Sequence, residues 1–143
     1  MLDTNIFKGL TALLDLWLNE NQITTLKENV FNELTSLQTL LLHSNQITSI
    51  DANAFTGLTA LRVISLNSNH ITTIDVNTFN GLTALQAIGI SDNPLKCINC
   101  NTKQLSVFLQ NLMYWNLTSA MCDDGTFLAD FDFDNCTGSM LPI

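Results

Sequence analysis

Positively charged residues are scarce in this chain. Five lysines and arginines stand against 13 aspartates and glutamates, which gives a formal net charge of −8 over 143 residues. Contacts between cationic side chains and phosphate dominate the affinity of proteins for nucleic acid, and the same attraction draws proteins to anionic membranes. The charge balance therefore predicts that nucleic acid is not a partner, whereas a neutral or basic partner is easy to accommodate.

Long apolar runs are also absent. Hydrophobic residues make up 46% of the sequence, yet no run approaches the roughly 18 residues that a membrane-spanning helix needs. We therefore expect no membrane insertion by this segment. The apolar residues are numerous enough to form the core of one domain.

What the chain does contain is a pattern repeated at a step of 24 residues. The pattern L-x-x-L/I-x-L/I-x-x-N occurs four times, and its first residues are Leu13, Leu37, Leu61 and Leu85. A phenylalanine column keeps the same step, and its members are Phe7, Phe31, Phe55 and Phe79. A fixed period of this length is the signature of stacked repeats, in which neighbouring units share one core.

Each occurrence of the pattern predicts a short strand followed by a turn. Inward apolar residues alternate with outward residues, and strands stacked in this way form a parallel sheet. An asparagine closes each pattern, and its carboxamide can satisfy backbone groups of its own turn and of the adjacent repeat. We expect a buried ladder of these side chains, whose members are Asn21, Asn45, Asn69 and Asn93.

These columns resemble the leucine-rich repeat family, in the 24-residue form found mainly on extracellular proteins. The resemblance implies an α/β repeat fold, namely a right-handed solenoid with a parallel sheet on its concave face, and a role in recognition. It covers the repeats at 1–93, which comprise a partial repeat (1–12) and repeats that start at 13, 37, 61 and 85. Because Leu2 falls in the column of Leu26, we expect a receptor fragment that begins within a repeat.

The remaining residues, 94–143, hold all four cysteines and look like the C-terminal cysteine-rich cap of extracellular leucine-rich repeat proteins. An apolar helical face fits this cap, and it consists of Leu105, Phe108, Leu109 and Leu112. The family pairing implies two disulfides, Cys97 with Cys122 and Cys100 with Cys136. Two residues separate Cys97 and Cys100 where the family usually has one, and Leu95 and Phe108 stand where tryptophan is common.

Spacing alone leaves other roles open for the cysteines, since it permits three disulfide pairings, a zinc site of all four thiolates, or a redox dithiol at Cys97 and Cys100. We expect disulfides and no metal. Bridges of this kind require an oxidising compartment, so the chain is expected to be extracellular or on the cell surface. Two acceptor triplets, at Asn116 and Asn135, predict a glycoprotein.

Outward strand positions are the candidate ligand contacts, because packing does not restrict them. Trp17 stands out, since tryptophan is enriched among binding hot spots; contact with a neighbouring protein or simple exposure are the alternatives. Arg62, the single arginine, either contacts an anion or neutralises nearby acids. The expected face comprises Trp17, Leu41, His43, Arg62, Asn67, Asp15 and Glu20.

The sequence therefore predicts an extracellular recognition module that binds protein or glycan through the concave face, with the cap loop as a further contact. The alternative is an adhesion spacer without a ligand on this segment. Self-association through the uncapped N-terminal edge is a further expectation. We expect no enzyme and no cofactor, because His43 and His70 do not converge and neither a nucleophile elbow nor a phosphate-binding glycine loop is present.

Overall fold

The computed structural model describes residues 2–97, 100–112 and 120–128, with the backbone alone at Cys100 and Asn101. Within these ranges the chain winds into a solenoid, and each turn of the solenoid contributes one strand to a main sheet. A second, narrower ladder runs beside it. The strands in chain order are β1 (Asp15–Trp17), β2 (Thr25–Leu26), β3 (Thr39–Leu41), β4 (Ser49–Ile50), β5 (Val63–Ser65) and β6 (Ala87–Gly89).

The main sheet is parallel and has the strand order β1-β3-β5-β6, and β2 pairs with β4 in the second ladder. Its register follows the sequence step without a slip, so that Leu16, Leu40, Ile64 and Ile88 are Cα partners in neighbouring strands. Parallel pairing of consecutive rungs confirms the predicted solenoid with a parallel sheet. Turns make up most of the opposite side, together with one 3-10 helix, Val76–Phe79.

The core is built from the repeated apolar columns. The leucines and isoleucines that point inward from the central rungs are fully buried, as Leu40, Leu61 and Ile64 illustrate. Behind them the phenylalanine column forms a continuous stack, with ring centroids 5.8, 6.2 and 6.0 Å apart from Phe7 to Phe79. Offset stacking of this kind adds to the free energy gained by removing the rings from water.

The asparagine ladder ties each turn to the rung before it. The backbone N–H of Ile23 donates to Asn45 Oδ1 (3.0 Å), and Asn45 Nδ2 donates to the carbonyl oxygens of Leu18 (2.9 Å) and Leu42 (3.0 Å). Asn69 and Asn93 repeat this arrangement one and two rungs later. All three side chains are buried.

Asn21 departs from the prediction of a buried ladder. It is exposed, and its Nδ2 donates only within its own turn, to the carbonyl oxygens of Leu18 and Asn19 (3.0 Å each). The three buried members reach back to a strand and turn one repeat earlier. The residues described before Asn21 do not include such a rung, so its carboxamide stays in contact with water.

A disulfide and a helix close the C-terminal end of the described core. Cys97 and Cys122 are bonded, as the family pairing implies, and Asp123 N donates to Leu95 O (2.7 Å) beside the bridge. This bond removes two of the four thiolates that a zinc site would need. Cys136 lies outside the described residues, as does the side chain of Cys100, so the second pairing remains a prediction.

The helix α1 (Cys100–Gln110) packs its apolar face on the last repeat. Leu105 and Leu109 are fully buried, while Phe108 and Leu112 are half-buried. The ring of Phe108 stacks on Phe79 with a centroid distance of 5.4 Å and an interplanar angle of 4°. The helix therefore continues the phenylalanine stack, although Phe108 lies outside the 24-residue step.

One buried polar group interrupts an apolar column. Thr78 occupies the position that Ile6, Val30 and Ala54 hold in earlier repeats. Its side chain is buried, and its Oγ1 has no hydrogen-bond partner among the described residues. A buried hydroxyl without a partner carries an uncompensated desolvation cost.

We expect Asn45→Ala to lower the free energy of unfolding by about 2–4 kcal/mol, because it leaves a buried N–H and buried carbonyl oxygens without partners. The matched control is Asn21→Ala, in the same column but exposed, which should cost under about 1 kcal/mol. Urea denaturation monitored by circular dichroism measures both. Equal losses for the two variants would show that the ladder does not stabilise the fold through burial.

Thr78→Val should raise the free energy of unfolding by about 1 kcal/mol, since valine has nearly the same shape and removes the unpaired hydroxyl. Thr83→Val, at an exposed position of the same repeat, should change stability by less than about 0.5 kcal/mol. Thermal unfolding of the three proteins provides the comparison. Destabilisation by Thr78→Val alone would contradict the assignment of an unsatisfied hydroxyl.

Candidate ligand-recognition face

The outward residues of the main sheet form a single surface, which we call the concave face. The strands β1, β3, β5 and β6 present two outward columns, and a third column lies directly before the strands and consists of Leu14, Gln38, Arg62 and Gln86. The first column is Asp15, Thr39, Val63 and Ala87, and the second is Trp17, Leu41, Ser65 and Gly89. Because the rungs are in register, each column places its side chains roughly 4.8 Å apart across the sheet.

The second column falls steadily in size from the first strand to the last. Trp17 is 71% exposed, Leu41 is half-buried, and Ser65 and Gly89 follow. Leu14, at the start of β1, is 49% exposed and lies at the same end of the face. The concave face therefore has an apolar end with large side chains, formed by Leu14, Trp17 and Leu41. Its other end has the small residues Ser65 and Gly89.

Asn67 is committed to contacts within the protein, which the sequence did not indicate. Its Oδ1 accepts from the N–H (2.9 Å) and the Oγ (3.1 Å) of Ser91, and its Nδ2 donates to Ser65 Oγ (3.2 Å). The carboxamide thus bridges the ends of β5 and β6. Gly89 leaves space for the Asn67 carboxamide, because a Cβ there would lie 2.6 Å from Nδ2.

The backbone of Glu20, another predicted face residue, has a structural role in its turn. It has a φ of 57°, as do its counterparts Ser44 (57°) and, within a few degrees, Ser68 and Asp92 (54° each). Its backbone N–H donates to the carbonyl oxygen of His43 (3.1 Å) on the next rung. The backbone at this position therefore serves the turn that precedes the asparagine ladder, and only the exposed carboxylate remains available at the rim.

The other predicted face residues lie where the sequence placed them. Asp15 and Arg62 are exposed and His43 is half-buried after β3. His70 lies beyond Asn69, where its N–H donates to Ile47 O (2.9 Å), so the two histidines occupy different parts of the rung. Among the residues that the structure describes, no group of three or more His, Cys, Asp and Glu side chains is arranged to hold a metal ion.

Two further properties concern the regions outside this face. None of the helices in the described ranges combines the length and hydropathy that crossing a bilayer requires. Both acceptor asparagines, Asn116 and Asn135, lie outside the described residues.

Among solved structures, 211 chains match this one, so the fold likeness does not depend on a single comparison. One of them is the crystal structure of the TLR13-ssRNA13 complex, with 30% sequence identity and a TM-score of 0.66. The match covers 69% of this chain and 14% of the other chain, so this chain spans only a small part of that protein. A comparison with curated proteins finds no match.

The TLR13 structure corrects one expectation. The net charge predicted that nucleic acid is not a partner, and this exclusion is wrong, because a protein that shares this fold is complexed with ssRNA13. The charge of a whole chain does not describe the local surface that meets a ligand.

Gly89→Ala should lower the free energy of unfolding by about 1 kcal/mol, because the new Cβ displaces the Asn67 carboxamide from Ser65 and Ser91. In an Asn67→Ala background the same change should cost close to zero, since the clash is gone. The backbone φ of Gly89 is not in the left-handed region, so strain does not enter the comparison. Equal costs in the two backgrounds, measured by urea denaturation, would contradict the bridge.

The repeat signature extends over most of the chain. The family model for the leucine rich repeat matches residues 1–47 and 35–95. This agrees with the register of the parallel strands, with the phenylalanine stack and with the buried asparagines of the last three repeats. The chain therefore belongs to the leucine-rich repeat family.

Proposed function

We propose that this chain is an extracellular ligand-recognition module that binds a protein ligand through its concave face. Leucine-rich repeat domains are typically modules of ligand binding rather than enzymes. The observation that carries the proposal is the exposed apolar end of the face, where Trp17 stands beside Leu14 and Leu41. A protein offers apolar side chains to cover this surface, which makes it a better match than a glycan.

The strand beneath this apolar end is paired and packed against the core, and this supports the proposal. Leu16 lies in the strand between Leu14 and Trp17 and packs against the core, and β1 is paired with β3 along its length. A side chain held on such a strand loses little conformational freedom on binding, so more of the free energy of burial contributes to affinity. Burial of a large apolar side chain contributes roughly 1.5–3 kcal/mol.

The size of the face favours a segment of chain over a broad protein surface. Four strands of three residues each, about 4.8 Å apart and about 10 Å long, give a sheet face of roughly 200 Å². A standard protein interface buries about 800 Å² on each side. We therefore propose that the central contact is made by a short extended segment of the ligand, with the flanks and the cap loop from Leu117 to Cys136 as further contacts.

The extracellular location is part of the same proposal. The disulfide between Cys97 and Cys122 favours an oxidising compartment, where such bonds persist. The structural similarity to TLR13 also supports an extracellular location. Glycosylation at Asn116 and Asn135 and a boundary between repeats and cap after Asn93 remain proposals that follow from the sequence.

Single-stranded RNA is the second candidate ligand, and the TLR13-ssRNA13 complex is the observation that favours it. An exposed tryptophan and an exposed arginine two rungs away also provide the aromatic stacking and cationic contact that single strands use. A spacer without a ligand is the third candidate, and it predicts that no substitution on the concave face affects binding to anything.

Selection from a phage-displayed peptide library tests the proposal. We expect peptides that bind the wild-type protein and lose at least about tenfold in affinity with Trp17→Ala, as expected when a binding hot spot is truncated. The matched control is Val107→Ala, which removes an exposed apolar side chain from α1 and should change affinity less than about twofold.

The same titration with a single-stranded RNA homopolymer separates the candidates. If the protein binds RNA in a way that depends on Trp17 and binds no peptide, single-stranded RNA is the ligand and the proposal of a protein ligand is wrong. Binding of neither probe would support the spacer. Circular dichroism of each variant verifies that the solenoid is intact.

A further inference from the structure

Arg62 is an exposed cation whose side chain has no polar partner among the described residues. It is the single arginine of the chain and lies immediately before β5. Its side chain forms no hydrogen bond and no ion pair with any of the described residues. A guanidinium is permanently charged and presents donors in a planar fork that matches a carboxylate. The sequence left open whether Arg62 neutralises nearby acids, and the described geometry shows no such pair.

Two glutamines flank Arg62 on the neighbouring rungs. Arg62 N donates to Gln38 O (2.9 Å), and Gln86 N donates to Arg62 O (2.9 Å), so the three residues form one column. The rung spacing of about 4.8 Å places the backbones of both glutamines next to that of Arg62, so the three side chains leave the sheet from adjacent rungs. Carboxamides supply N–H donors without adding charge. This column, Gln38, Arg62 and Gln86, is therefore a row of hydrogen-bond donors with one positive charge at its centre.

The acids on the same face restrict where a negative group can bind. Asp15, Glu20 and Asp92 are exposed, and like charges placed opposite one another disfavour a complex. A ligand carboxylate is repelled at these positions and attracted at Arg62. The charge pattern thus fixes the register in which a ligand lies across the face.

The donor row lies at a defined distance from the apolar end. Leu14 is in the same column as Arg62, two rungs earlier, which is about 10 Å at the usual strand spacing. Trp17 lies three residues further along β1, so its diagonal separation from Arg62 is roughly 14 Å. An extended peptide, which rises about 3.3 Å per residue, covers these distances in three or four residues.

Resting on the proposed function, we infer that the concave face recognises an extended peptide segment with two features. An apolar side chain packs on Leu14 and Trp17, and an aspartate or glutamate three or four residues away pairs with Arg62. A carboxylate fits better than a phosphate, because the donor row offers one full charge between two neutral amides. Arg62 is then the residue that determines specificity, while Trp17 supplies most of the affinity.

The test uses the peptides selected on the wild-type protein in a library of random sequence. We expect these peptides to be enriched in Asp or Glu three or four positions from an aromatic or aliphatic residue. Arg62→Gln should weaken their binding at least about tenfold, and replacing the peptide acid by its amide should cause the same loss. The second change should have no further effect in the Arg62→Gln protein.

Two matched controls sharpen the test. Lys8→Gln removes an equal charge outside the concave face and should change affinity less than about twofold. Arg62→Lys keeps the charge but not the planar fork, so it should restore only part of the affinity. Arg62 and Lys8 are both exposed, and the Arg62 side chain forms no hydrogen bond or ion pair with the described residues, so circular dichroism should show all three variants folded.

The outcomes separate this inference from the proposed function. Peptides that depend on Trp17 but show no acidic residue, or equal losses for Arg62→Gln and Lys8→Gln, would overturn the inference alone. Tighter binding of a phosphoserine analogue through Arg62 would replace the carboxylate by a phosphate and overturn it as well. Failure to select any peptide that depends on Trp17 would overturn both.

Discussion

The fold depends on how buried turns satisfy their backbone groups. Each rung leaves the sheet at a turn whose N–H and carbonyl groups face the interior, where an unpaired group is costly. The carboxamides of Asn45, Asn69 and Asn93 satisfy these groups in their own turn and in the rung before. Because each contact joins two repeats, the 24-residue step cannot drift without leaving buried polar groups unpaired.

This arrangement separates stability from recognition along every rung. Inward leucines, the phenylalanine stack and the asparagines carry the packing and hydrogen bonding, while the outward residues of the concave face contribute little to either. The face can therefore change its chemistry from Trp17 at one end to Gly89 at the other on an unchanged backbone. Asn67 shows the limit of this freedom, because its carboxamide bridges two rungs and requires a glycine beside it.

Sequence periodicity predicted the sheet, its register and most of the core, since every one of these properties repeats with the chain. It failed where a residue's environment differs from that of its column. Asn21 has the identity of a ladder residue, but its side chain is exposed and donates only within its own turn. The role of Asn67 depends on Ser91 and Gly89 one rung later, and a glycine in the column of Trp17 was the one available signal. The exclusion of nucleic acid as a partner, which was based on net charge, was wrong, because the charge of a whole chain averages over surfaces that a ligand does not contact.

The stack formed by Phe79 and Phe108 has a consequence for the history of such chains. The helix α1 packs on the last rung through Phe108, and this ring stacks on Phe79 as the phenylalanine of a further repeat would. Duplication or loss of a whole coil in the gene leaves that junction chemically unchanged. Unequal crossing-over can therefore change the number of repeats in evolution without a change in the residues that pack α1 on the last repeat. The length of the solenoid can vary in this way while the packing of each rung stays the same.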